Sequence, residues 1–259
     1  MIRVLMIGDV VGECGCDALS RHLWQLKKIK GADLVVVNGE NSAKGNGITV
    51  ASAQAIFAAG ADVITTGNHV WRRREIYRYL DDARYVIRPA NFPPACPGMG
   101  YTVFTVKNTR IAVMNLLGQV FLDALDNPFT CAARLVETLA GQADLILGDF
   151  HAEATSEKKA LAVYLDGRVQ AVVGTHTHVQ TADAKILPGG CAFITDLGMT
   201  GADDAILGVR GEEVIRRFLT RMPARFEEAW SDPILCGVCI TLDETQKRAA
   251  AIEAIRIEG

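Results

Sequence analysis

Gln170-Ala171-Val172-Val173-Gly174-Thr175-His176-Thr177-His178 is a short apolar run that ends in two imidazoles. A run of this length, rich in Val and bounded by glycine, reads as a buried strand, so the polar cluster falls just past the strand's carboxyl end. The same form recurs along the chain. Asp62–Thr66 leads into Gly67-Asn68-His69, and Ala143–Leu147 into Asp149-Phe150-His151. Ile2–Ile7 leads into Gly8-Asp9-Val10-Val11-Gly12, and Leu34–Val37 into Asn38-Gly39-Glu40-Asn41. If these strands share one mostly parallel sheet, Asp9, Glu40, Asn41, Asn68, His69, His151, His176 and His178 gather along one edge, where open α/β sheets bind ligands.

The segments between the strands read as helices. Asp17 can cap one that ends at Gly31, Thr49 one that ends at Gly60, and Pro128 suits the first turn of one that ends before Gly141. Strands alternating with helices are βαβ units, which imply parallel pairing. Tyr101–Val106 and Arg110–Leu116 flank a Lys107-Asn108-Thr109 turn and predict a hairpin. Leu235–Leu242 and Ala249–Ile257 predict a second antiparallel pair. Parallel units mixed with hairpins point to an α/β fold of two sheets packed face to face with helices outside. The 259 residues carry no internal repeat or low-complexity linker and are read as one domain, 1–259. Gly45-Asn46-Gly47, Pro89–Gly98 and Gly198–Gly208 are the longest loop-like stretches, of the kind that shapes substrate entry beside a site.

Composition narrows the function classes. With 27 basic and 30 acidic residues the net charge is -3, which argues against an electrostatic footprint for duplex DNA or an anionic membrane. A small anionic substrate stays open. No run of about 18 apolar residues exists for a membrane span, and Met1-Ile2-Arg3-Val4 enters a strand without signal-peptide organisation, so cytoplasmic residence is expected. The seven cysteines are odd in number and scattered, as in reduced intracellular proteins. Cys236 and Cys239 form a Cys-x-x-Cys on a predicted strand, where the odd offset sends the thiols to opposite faces, so they read as packed core residues. Arg72-Arg73-Arg74 lies in a predicted helix, Trp71–Leu80, and reads as a solvated face rather than a phosphate contact. His22 falls inside the amphipathic stretch Asp17–Lys30 and is read as non-functional.

The four clustered histidines are another matter. Each cluster alone is weak evidence, because Gly-Asn is common in turns and a core His can be satisfied by backbone. At i and i+2 of an extended segment, however, His176 and His178 would project from one side. Their joint occurrence with the other clusters predicts a metal site. Carboxylate, carboxamide and imidazole without thiolate disfavour structural zinc and suit iron, manganese, zinc or magnesium. Eight polar side chains exceed one coordination shell, so two metals about 3.5–4 Å apart are the economical inference, and hydrolysis of a phosphate ester is the first reaction to propose.

The ordered series Gly8-Asp9, Gly39-Glu40-Asn41, Gly67-Asn68-His69, His151 and Gly174-Thr175-His176-Thr177-His178 resembles the calcineurin-like metallophosphoesterase superfamily. Val37–Asn41, Thr66–Trp71, Asp149–Lys158 and Asp196–Gly201 resemble its bacterial YmdB-like branch nearly residue for residue. The resemblance covers most of the chain. It implies a four-layer α/β/β/α sandwich, a di-metal centre often occupied by iron, and phosphodiesterase activity on cyclic nucleotides, including 2′,3′-cyclic AMP.

Carried over by position, Asp9, Asn41 and His178 would hold one metal, Asn68, His151 and His176 the other, and Glu40 would bridge. His69 would be the general acid for attack by a bridging hydroxide. The superfamily's first motif is usually Asp-x-His, and here Val11 stands at the His position, with Asn41 as the substitute ligand. The bridging Asp of the wider superfamily is Glu40. The expected partners are a small phosphodiester substrate, an RNA-related partner and a second copy of the chain. A phosphomonoesterase or nuclease with the same centre is the near alternative; a nucleotide- or metal-binding signalling protein with little turnover is the distant one.

Overall fold

The computed structural model describes residues 1–259. The first part alternates strand and helix: β1 (Ile2–Ile7), β2 (Asp9–Val10), α1 (Gly12–Lys30), β3 (Leu34–Asn38), α2 (Val50–Ala58), β4 (Val63–Thr65) and α3 (Glu75–Asp82). The predicted hairpin follows as β5 (Tyr101–Val106) and β6 (Thr109–Leu117), then α4 (Pro128–Leu139), β7 (Leu145–His151), α5 (Thr155–Leu165) and β8 (Ala171–Thr175). The last part holds β9 (Lys185–Ile186), β10 (Ala192–Ile194), β11 (Met199–Ala202), α6 (Gly211–Thr220) and the second predicted hairpin, β12 (Pro233–Asp243) and β13 (Arg248–Glu258).

Two mixed sheets result. One runs β2-β11-β12-β1-β3-β4 with β13 added to β12, and the other runs β5-β6-β7-β8-β10-β9. The site-bearing strands therefore do not share one sheet, as the simplest reading of the sequence expected. β1, β3 and β4 are parallel neighbours in the first, and β7 and β8 in the second. Both sets end on the same side of the molecule, so their polar carboxyl ends still meet.

Side-chain alternation along each strand makes the layers. Val4 and Met6 of β1 enter the core between the sheets with Val36, Val113 and Val173, whereas Leu5 and Ile7 pack outward against Leu19, Leu23 and Ile56 of α1 and α2. On the far side, Met114 and Phe150 of the second sheet pack against Leu139, Leu161 and Leu165 of α4 and α5. The order is helices, sheet, sheet, helices: a four-layer α/β/β/α sandwich. Cys236 and Cys239 fall in separate apolar clusters, as their odd offset on β12 predicts.

Local capping explains several boundaries. Thr49 and Ser52 form a reciprocal capping box at the start of α2, and Asn127 caps α4 with Pro128 in its first turn. Four expectations are corrected. α1 starts at Gly12, not after Asp17, because the backbone is pinned there: Val11 N–H donates to Thr200 O and Gly12 N–H to Asn41 O, both at 2.9 Å. Asp17 instead pairs with Arg21 one turn on, at 2.6 Å. The predicted helix Trp71–Leu80 breaks into a 3₁₀ turn, Val70–Arg72, and α3, with Arg73 extended between them. Arg73 is no solvated face: its guanidinium donates to the carbonyls of Lys44 and Asn46 and holds the Gly45-Asn46-Gly47 loop. Finally, Gly198–Gly208 is not all loop, since it contains β11. No helix is long and apolar enough to cross a membrane.

Candidate metal centre

Five strand ends deliver the cluster. Asp9 stands in β2, Glu40 and Asn41 follow β3, Asn68 and His69 follow β4, His151 closes β7, and His176 and His178 follow β8. Asp9, Glu40 and His151 are fully buried. His151 is the hub. Its Nε2 lies 3.0 Å from Asn68 Oδ1, 3.0 Å from His176 Nδ1 and 3.3 Å from Glu40 Oε2. Donor atoms of Glu40, His151 and His176 all lie within 4.8 Å of one another, a separation that one small ion can span.

The second half of the cluster shares Glu40. Asn41 Nδ2 donates to Glu40 Oε1 at 2.8 Å and lies 3.4 Å from His178 Nε2. His69 Nδ1 lies 2.9 Å from Asn41 Oδ1 and 3.0 Å from Glu40 Oε1, and its backbone N–H donates to Glu40 Oε2. The expected extended His-Thr-His is corrected here. β8 ends at Thr175, and His176 and His178 adopt left-handed φ of 105° and 64°. The two rings accordingly face different halves, His176 towards His151 and His178 towards Asn41. His22 stays within α1 and takes no part.

The electrostatics are those of a site that wants cations. Burial pushes the Asp9 carboxyl up to about 6 against the pull of His151 and His178. Glu40 meets the same burial penalty, but His151 and His69 overcome it and hold the carboxyl well below the usual range. Burial opposes a charged His151, yet Glu40 and Asp9 raise it to about 9. Burial, reinforced by the neighbouring His151, lowers His176 to about 3.

Two observations test whether a metal fits. Asp9 Oδ1 is buried without a hydrogen-bond partner, since His151 Nδ1 at 3.6 Å is too far to donate. An orphaned buried carboxylate oxygen costs free energy unless something satisfies it. Gly67 is the second: a Cβ there would run into the Glu40 carboxylate and the His151 ring, so the chain keeps the space between them clear. With oxygen and nitrogen donors and no thiolate, the set fits a transition-metal ion.

Residues 5–255 match the family model described as YmdB-like protein. The chain belongs to the YmdB-like family. It is 48% identical to the 2′,3′-cyclic-nucleotide 2′-phosphodiesterase of Bacillus subtilis (strain 168), over 99% of this chain and 97% of that protein. The crystal structure of a novel phosphatase from Mycoplasma pneumoniae superposes with a TM-score of 0.94 at 36% identity, covering 99% of this chain and 93% of that one. In fold alone, the Haemophilus influenzae NAD nucleotidase superposes with a TM-score of 0.62 at 14% identity, over 98% of this chain and 55% of its own.

Around the cluster of this YmdB-like chain lies a layer of residues that sequence reading did not single out. Thr175 Oγ1 sits 2.9 Å from His151 Nδ1 and donates to Asp149 Oδ1 at 2.7 Å. Asp149 also accepts from Asn38 and Thr65. Glu153 Oε2 lies 3.1 Å from His176 Nε2, and the Leu207 carbonyl accepts from His178 Nδ1 at 3.2 Å. Asp196 accepts from both Thr177 N–H and its hydroxyl and is paired at 2.7 Å with Lys158, buried like itself. Ligating histidines are oriented by such partners on the other ring nitrogen. The one available signal was position: Asp149 and Thr175 stand inside the quoted segments.

Proposed function

We propose that this chain is a two-metal phosphodiesterase that hydrolyses cyclic nucleotides, with 2′,3′-cyclic AMP the first substrate to test. The observation that carries the proposal is the convergence of buried Asp9, Glu40 and His151 with half-buried Asn68 and His176, with Asp9 Oδ1 left unpartnered. The activity named for the Bacillus subtilis relative supports the same reading.

In this proposal Asp9, Asn41 and His178 would hold one ion, Asn68, His151 and His176 the other, and Glu40 both; iron is the first candidate, then manganese or zinc. Bound there, the ions would supply a water nucleophile ionised near neutral pH and positive charge opposite the phosphate oxygens. The remaining chemistry belongs to the chain. His69 Nδ1 is engaged by Asn41 and Glu40, which leaves Nε2 to protonate the departing ribose oxygen. A cleft of about 280 Å³ opens on these residues between Glu153 and Leu207 and admits the phosphate.

Metal-reconstituted protein should be assayed on a panel of cyclic nucleotides, phosphomonoesters and short RNAs alongside elemental analysis. Two ions per chain and preferential turnover of cyclic nucleotides are expected, and Glu40→Ala should lose both ions. Wild-type protein that carries two ions and turns over none of the panel would overturn the enzymatic reading in favour of a signalling one.

A further inference from the structure

Next to the cleft lies a second and larger cavity, of about 650 Å³, between the metal cluster and α6. It is not separate from the site: His69, His178 and Asn41 line both. Its floor is apolar. Val11, at the position where the superfamily's first motif usually has a metal-binding His, lies in this cavity and packs against Gly208, whose missing Cβ leaves room for it. Its outer wall is Phe218 and Phe226, and the Arg217 guanidinium lies over the Phe226 ring, 5.3 Å from its centroid.

We propose that this cavity is the nucleobase subsite, a reading that rests on the cyclic-nucleotide function proposed above. Cleft and cavity share Asn41, His69, His178 and Leu207 as lining, so a nucleotide with its cyclic phosphate at the cluster and its ribose beside His69 would direct its base into the cavity. The volume falls within the range of about 300–1,000 Å³ usual for small-molecule sites. The chemistry is that of a flat, mostly uncharged ring system: two aromatic side chains and an arginine plane offer stacking surfaces, and Val11 offers an apolar floor. Stacking accepts any base but rewards a larger π-face, so purines are preferred over pyrimidines.

The wall is also tied to the chemistry. Leu207, held at φ 54°, accepts from His178 Nδ1 through its carbonyl, so the segment that leads into α6 and Phe218 is anchored on a proposed metal ligand. Phe218 is 68% and Phe226 40% exposed, high for aromatic rings unless a ligand covers them. Their exposure also means that either can be truncated without opening the core.

The test compares Phe226→Ala with wild type on 2′,3′-cyclic AMP and on glycerol 1,2-cyclic phosphate, which has the same ring phosphate and no base. The ratio of kcat/KM for the nucleotide over the baseless ester should fall about 5- to 150-fold, the span that base–aromatic stacking commands, and the fall should lie in KM. Adenosine binding, followed by calorimetry without turnover, should weaken in parallel. An unchanged ratio with unchanged adenosine binding overturns the subsite while leaving the phosphodiesterase reading intact. Failure of the wild type on both esters while adenosine still binds and Phe226→Ala weakens it overturns the function and keeps the subsite.

Discussion

Asp149→Asn should detune the metal centre without touching a proposed ligand. In the structure Asp149 is 2% exposed and accepts from Asn38 Nδ2 at 2.9 Å, from the Thr65 hydroxyl, and from Thr175 Oγ1 at 2.7 Å. Because the Thr175 hydroxyl gives its proton to Asp149, it must accept from His151 Nδ1–H, 2.9 Å away. That leaves His151 Nε2 as the ring nitrogen aimed at Asn68, His176 and Glu40. An asparagine keeps its carbonyl towards Asn38 and Thr65, where two donors converge, and turns its amide towards Thr175. The Thr175 hydroxyl then accepts from that amide and donates to His151 Nδ1, which forces the remaining ring proton onto Nε2 and blocks ligation. Loss of such an outer partner typically weakens metal affinity 10- to 100-fold, which is about 1.4–2.7 kcal/mol. Competition titration with a metal chelator reads the affinity, and ¹⁵N-histidine NMR reads the tautomer. Thr175→Ser keeps the hydroxyl and should behave as wild type; Thr175→Val should resemble Asp149→Asn. The relay is refuted if Asp149→Asn binds both ions with unchanged affinity.

Three further outcomes follow from the same geometry. His69→Ala should retain both ions but lose about 10²- to 10⁴-fold in turnover of a cyclic nucleotide, and much less on bis(p-nitrophenyl) phosphate, whose phenolate leaves without a proton; equal losses in a fully loaded variant would mean that His69 positions rather than protonates. Lys158→Met leaves the buried Asp196 charge unpaired, a loss of about 3–5 kcal/mol, and should lower the melting temperature by about 6–20 °C at roughly 2–4 °C per kcal/mol. A calorimetric melt within a degree of wild type would show that the hydrogen bonds from Thr177 and the Gly198 N–H suffice to hold Asp196. Gly67→Ala puts a methyl group into the Glu40–His151 gap, and elemental analysis should find the ions lost while circular dichroism still shows a folded chain.

The candidate cluster was legible because each of its members stands at or just past the end of an apolar run. Hydrophobic periodicity is a local property, and a polar residue at the end of a Val-rich run has to emerge where the strand does. Both hairpins, the Thr49 cap and the Cys236/Cys239 split follow from equally local rules. Where reading failed, a longer-range hydrogen bond had overridden a local preference. Asp17 is a good cap residue, but Thr200 and Asn41 start α1 six residues earlier. Trp71–Leu80 has helical composition, but Arg73 is drawn out to the Lys44 and Asn46 carbonyls.

From the sequence by itself came the α/β class, the strands, and the side chains that stand at their carboxyl ends, since these depend on the period of two along a strand and on turn chemistry. Only the tertiary structure decided that β1, β3 and β4 belong to one sheet and β7 and β8 to the other, because sheet membership is set by hydrogen bonds between segments far apart in the chain. It alone decided that His176 and His178 part to opposite halves of the cluster, that Asp149 reaches His151 through Thr175, and that Val11, Phe218 and Phe226 close one cavity beside the site. Each of these depends on a distance across the fold, and spacing along the chain carries no record of it.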